Sequence, residues 1–258
     1  MTQVASIAVG SIPLALVEEI RAGAFVVCTT PTRLQATDLE RGDDMFAEFR
    51  RLADGEAFSG AEPDSGSVVK AQLPGPVTLL HSGQETLQTS IRRIRAAIDT
   101  LCEIHPKLHT LWLDEPMLAH APNDWSRLLG HTLRALKAEY FDLSFGVHSC
   151  ASLRSYDLSD VPADAWAFDL SRDLDAVVAA HREGKIVGQL IWSLVPTDGG
   201  PAALDATTLL RLHRSLQPDA PIVVSAACGL GARTQADARA TLAQVEALRA
   251  DIEAQLQR

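Results

Sequence analysis

Cysteine is scarce in this chain. The four present in 258 residues, Cys28, Cys102, Cys150 and Cys228, are too few and too far apart for a disulfide scaffold. In a reducing compartment such residues serve as metal ligands or nucleophiles rather than as halves of a bridge. Basic charge is in deficit as well: 23 Lys and Arg stand against 33 Asp and Glu, for a net charge of -10. That balance repels a phosphate backbone and argues against sequence-independent nucleic-acid binding. No apolar run approaches the roughly 20 residues that cross a bilayer, and the first residues lack the basic and apolar regions of a secretory leader. The expectation is a cytoplasmic protein with neither a membrane nor a nucleic acid as partner. Low-complexity tracts, internal repeats and domain linkers are missing too.

What is present is the composition of a globular domain, 47% hydrophobic and 22% charged, able to bury a sizeable core. Residues 1–258 are read as one domain. Short apolar runs alternate with segments of helical period, the pattern of βαβ units. Strands are expected at Ser6–Ile12, Ala24–Thr29, Val68–Leu73, Thr110–Asp114, Leu143–Ser149, Trp166–Leu170, Ile186–Ser193 and Ile222–Ala227. Between them, Leu87, Ile91, Ile94, Ile98 and Leu101 recur at helical spacing, and Leu128, Leu129, Leu133 and Leu136 do so after Asp124. Asp205 and Thr234 are read as N-caps of two further helices, the second reinforced by Asp237 three residues on. Eight strands alternating with helices over this length give a single (β/α)8 TIM barrel, an α/β fold, with a doubly wound open sheet as the competitor. Arg33–Ser67 is the exception to the alternation. It holds one expected helix, Asp44–Leu52, followed by a Gly-, Pro- and acid-rich stretch read as a long surface loop.

Barrel active sites form at the C-terminal ends of the strands. Those ends are polar here: Ser11 after the first strand, Lys70 near the third, Asp114 and Glu115 at the fourth, His148 and Cys150 at the fifth, Asp169 at the sixth and Cys228 at the eighth. His148 and Cys150 lie two apart, so both side chains can point to one place. Cys228 would enter the same barrel mouth, completing a His/Cys/Cys set that favours Zn²⁺ over Mg²⁺ or Ca²⁺. Three protein ligands leave a fourth position open, which is the arrangement of a catalytic zinc. A plainer reading stands beside it, because buried cysteine often behaves as a small hydrophobe and a strand-end histidine is often only hydrogen-bonded. Cys28 and Cys102 are assigned to structure, and the remaining histidines, His213 among them, to the surface. Acids at a barrel mouth read as substrate-binding, which applies to Asp114 and Glu115, although the proline that follows them would also suit a turn.

Five motifs in order carry a family resemblance. Gly10-Ser11-Ile12-Pro13 looks like G-S-[FIL]-P. The segment from Val69 through Lys70, Gly75 and Pro76 to Thr78 looks like V-K-G-x-L-x-G-P-x-T. Asp114-Glu115-Pro116 looks like D-E-P, His148-Ser149-Cys150 like H-x-C, and the run ending Cys228-Gly229-Leu230 like P-x-C-G-L. The chain thereby resembles the catalytic domain of cobalamin-independent methionine synthase and its short stand-alone relatives, within the barrel superfamily that also holds uroporphyrinogen decarboxylase. The resemblance implies a zinc ion on His148, Cys150 and Cys228, with Asp169 at the place of the family's glutamate ligand. It implies that Asp114 holds the amino group of homocysteine, that Ser11 lies beside this substrate, and that Asp38 is the nearest counterpart of a further acidic substrate-binding residue. Asp114 and His148 are the candidate catalytic residues. The expected activity is methyl transfer to a small thiol bound as thiolate. No counterpart of the full-length enzyme's extra barrel is recognised, so the expected donor is a methylated corrinoid on a partner protein rather than a folate. A non-catalytic ligand-binding relative and a metal-independent decarboxylase of the same superfamily are the alternatives.

Overall fold

The computed structural model describes residues 4–6, 69–81, 86–104, 108–121, 124–230 and 233–258. Seven strands form one sheet: β1 (Val4–Ser6), β2 (Val69–Pro74), β3 (Leu108–Asp114), β4 (Ser144–Ser149), β5 (Ala165–Phe168), β6 (Gln189–Val195) and β7 (Ile222–Ala226). The helices are α1 (Pro76–His81), α2 (Leu87–Ile104), α3 (Trp125–Glu139), α4 (Leu170–Arg182), α5 (Ala206–Leu216) and α6 (Gln235–Leu256), with a 3-10 turn at Pro116–His120.

The strand order is β1-β7-β6-β5-β4-β3-β2, and every neighbouring pair is parallel. From β2 to β7 each strand lies beside the next in sequence, and the first lies beside the last. A doubly wound sheet reverses direction at a switch point; this one does not, and it follows the singly wound order of a barrel. The expected strand Ala24–Thr29, whose place would be between β1 and β2, lies outside the described residues, as does the expected loop through Ser67. The described sheet therefore has seven strands, in barrel order, where eight were expected.

Alternation along the strands separates two apolar layers. Leu111, Leu113, Phe145, Val147, Trp166, Phe168, Leu190 and Trp192 face the helices and join their buried stripes, including Ile94, Ile98 and Leu101 of α2 and Leu129, Leu133 and Leu136 of α3. Trp112, Ala167 and Ile191 form a separate cluster on the other face. Gly146 makes room there, since a Cβ at residue 146 would lie 2.5 Å from the Trp112 ring. The register that sets Trp112 opposite Gly146 sets Asp114 opposite His148, and His148 opposite Ala167.

Three local expectations are corrected. β5 stops at Phe168, because Asp169 caps α4 through the Ser171 N–H, and Leu170 is the first helical residue. β6 begins at Gln189 rather than Ile186, after Gly188 turns the chain at φ 103°. His213 is buried, not superficial. Its Nδ1 accepts from the Trp192 indole at 3.1 Å and its Nε2 lies 3.0 Å from the Ala220 carbonyl, the pattern of a neutral ring, and burial holds its pKa below the ordinary value. The expected caps at Asp205 and Thr234 are made, to Thr208 N at 2.7 Å and Asp237 N at 3.1 Å. Asp124 occupies the N-cap of α3 without a side-chain cap bond.

Candidate metal centre

His148 is the penultimate residue of β4, Cys150 stands one residue beyond its end, and Cys228 two residues beyond the end of β7. The two strands come from distant parts of the sequence, and the curvature of the sheet brings their ends together. Among the described residues, one nitrogen of His148 and the sulfurs of Cys150 and Cys228 lie within 4.8 Å of one another. Zinc bonds of about 2.3 Å to sulfur and about 2.0 Å to nitrogen set ligand separations of roughly 3.5 to 3.8 Å in a tetrahedron, so small side-chain adjustments suffice.

The histidine is already oriented. Its Nδ1 sits 3.2 Å from the Ala167 carbonyl of β5 and donates to it, which leaves Nε2 as the ligating nitrogen. Among the described residues that Nε2 is buried with no hydrogen-bond partner, a condition that a metal relieves. The two thiols share a charge. A hydrogen bond from Cys228 holds the Cys150 sulfur well below the ordinary thiol range against its burial, with His148 adding to the effect, and the same contact pushes Cys228 up. A buried histidine with an orphaned nitrogen, beside a thiolate and a thiol, fits a borderline-soft divalent ion such as Zn²⁺. The segment after Cys150 is tied to α4, where Asp173 accepts from Ser152 at 2.7 Å and from the Tyr156 hydroxyl at 2.6 Å.

The other sequence-derived residues fall into distinct places. Asp114 ends β3 in register with His148; Gln72 donates to its carboxylate, and its charge raises the Cys228 pKa. Glu115, one residue on, turns the other way and is fully buried. Its oxygens accept from Val77 N at 2.9 Å and from Thr78 N and Oγ1, both at 2.7 Å, at the start of α1. Burial outweighs those donors and pushes its pKa up to about 7. Asp169 is half-buried beside Cys150, but its carboxylate is not among the three converging ligands; Oδ1 accepts from the Ser171 N–H and hydroxyl. Ser11 and Asp38 lie outside the described residues.

A cavity of about 600 Å³ opens over the sulfurs, and Cys150, Cys228, Asp169, Arg172, Asp198 and Arg233 are among its lining. Its size is that of a small-molecule site. The two arginines were not anticipated. Both follow strand ends, Arg172 in the first turn of α4 and Arg233 after β7, and basic residues on the segments following barrel strands are the signal that could have found them.

No protein-family model matches the sequence, and no curated protein matches it. Solved structures do match the fold. A B12-independent methionine synthase from a Shewanella species, in complex with selenomethionine, aligns with a TM-score of 0.55 at 13% identity over 80% of this chain and 67% of that one. A methyltransferase from Methanosarcina mazei aligns with a TM-score of 0.52 at 14% identity over 92% and 70%. A β-methylaspartase from Clostridium tetanomorphum aligns with a TM-score of 0.57 at 11% identity over 99% and 60%. The shared property is the α/β barrel-like fold.

Proposed function

We propose that this protein is a zinc-dependent methyltransferase of the methionine-synthase type, which binds a small thiol, homocysteine in the first instance, and methylates its sulfur. The observation that carries this reading is the convergence of His148, Cys150 and Cys228 at the strand ends, with Nδ1 of the histidine anchored and Nε2 without a hydrogen-bond partner among the described residues. The order of the five motifs supports it.

His148 and the two cysteines would hold the ion, and Asp169 stands beside them. The chemistry a zinc ion would supply there is stabilisation of a substrate thiol as its thiolate at neutral pH. Asp114, in register with His148, would receive the amino group of an amino-acid thiol. Holding the thiol beside the donor in the cavity would let proximity and alignment supply much of the rate. In the transfer the sulfur–methyl bond forms as the bond from that methyl carbon to its donor breaks, the thiol proton having been lost on binding. A methylated corrinoid on a partner protein is the donor we assign.

The test is methylcobalamin as surrogate donor, with zinc-loaded protein and homocysteine. Loss of the cobalt–carbon chromophore together with methionine formation, both absent after zinc removal, is expected. An unchanged spectrum with tight thiol binding would replace the reading with a non-catalytic binding protein, and an activity that survives metal removal would replace it with a lyase or decarboxylase.

A further inference from the structure

The cavity over the sulfurs carries two arginines on separate elements, and their hydrogen-bonding capacity is largely open. A guanidinium offers five N–H donors. Arg233 gives one to the Thr197 hydroxyl at 2.6 Å, a contact that fixes its direction. Arg172 makes no hydrogen bond or ion pair with the described residues, although its charge is felt at Asp169. The two acids of the lining are drawn into local turns instead: Asp169 accepts from Ser171, and Asp198 from Gly200 N at 3.0 Å. The cavity thus presents sulfur ligands at one place and uncommitted guanidinium donors at another.

We propose that Arg172 and Arg233 form an anion subsite that selects, for the sulfur pocket, a short thiol carrying a carboxylate or sulfonate at its other end. This deepens the thiol-binding reading above and rests on it. Guanidinium recognises both anions through paired, charge-assisted hydrogen bonds. A neutral thiol of the same length lacks that contact, and a cationic one meets two positive charges.

Two measurements test the proposal, and the first needs no metal. Metal-free protein is alkylated with iodoacetate or iodoacetamide, in which a cysteine sulfur displaces iodide. Rates at Cys150 and Cys228 are read by mass spectrometry and normalised to N-acetylcysteine in the same buffer. The acetate-to-acetamide ratio is expected to be about 10-fold higher in the pocket, as one charge-assisted contact predicts, and to fall to the reference ratio in the Arg172→Gln/Arg233→Gln double variant. A ratio equal to the reference, or one unchanged in the double variant, overturns the subsite.

The second is calorimetric titration of zinc-loaded protein with 3-mercaptopropionate, 2-mercaptoethanesulfonate and 2-mercaptoethanol. Either anionic thiol is expected to bind about 10-fold tighter than the neutral one, the tighter of the two identifying the end group, with the advantage lost in the double variant. Equal binding of all three overturns the proposal. Zinc content measured on the same samples tells a failed metal site from a failed anion subsite.

Discussion

The Glu115 carboxylate fills the space that a side chain at Gly75 would need: a Cβ at residue 75 would lie 2.2 Å from Glu115 Oε1. The end of β3 is thereby locked to the start of α1, and Gly75→Ala should push the carboxylate off Val77 and Thr78. We expect a loss of about 1 to 3 kcal/mol, the range for overpacking a tight site, measured by urea unfolding. An unchanged midpoint would show that the contact is relaxed in solution.

Glu115 also gives stability a pH dependence of known sign. Its folded pKa, about 7, lies above the unfolded value, so the folded state binds more protons between the two. The contribution is complete below about pH 4.3 and is lost as pH rises through about 7, amounting to about 4 kcal/mol. Glu115→Gln should remove that slope. Unfolding curves for both proteins at pH 5 and pH 7.5 measure it, and parallel behaviour would contradict the assignment.

Removing a converging ligand should affect zinc before fold. His148→Ala and Cys228→Ser are each expected to reduce zinc from about one per chain to a small fraction, with thiol methylation lost and the far-ultraviolet dichroism kept, because the two core layers do not include these side chains. Unfolding of both variants would mark the site as structural.

Asp169→Asn distinguishes a capping carboxylate from a ligating one. Asparagine caps helices as well as aspartate does, so stability should be preserved. With the carboxylate turned to Ser171, zinc content should be unchanged as well, by elemental analysis. A sharp fall in zinc would assign Asp169 to the metal.

Asp114→Asn should weaken homocysteine roughly tenfold, as expected for one lost charge-assisted contact, while leaving 3-mercaptopropionate unaffected, since only the former has an amino group. Equal losses for both thiols in calorimetry would remove Asp114 from substrate recognition.

Much of this was legible in the sequence because strand and helix periods are local properties. The stripe through Ile94, Ile98 and Leu101, the Thr234 cap and the spacing of His148 and Cys150 each span only a few residues of local sequence. What escaped depended on distant partners. Glu115 reads as a barrel-mouth acid, but its donors at Val77 and Thr78 stand 38 and 37 residues away. His213 reads as an exposed helix residue, and only Trp192 and Ala220 make it a buried one. Asp169 could have been recognised, since an aspartate two residues before a serine at a helix start is a capping signal.

The pairing of β1 with β7 joins Val4 to Ile222, whereas each strand from β2 to β6 pairs with the one that follows it in sequence. During synthesis the sheet can extend strand by strand from β2, but the pairing of β1 with β7 must wait for β7 to emerge. Contacts of such long sequence separation form late and slowly. Until then β7's place beside β1 is an open edge that another chain could occupy. Cys228 lies two residues past the end of β7, so the candidate metal site would be completed in the same step that joins β1 to β7.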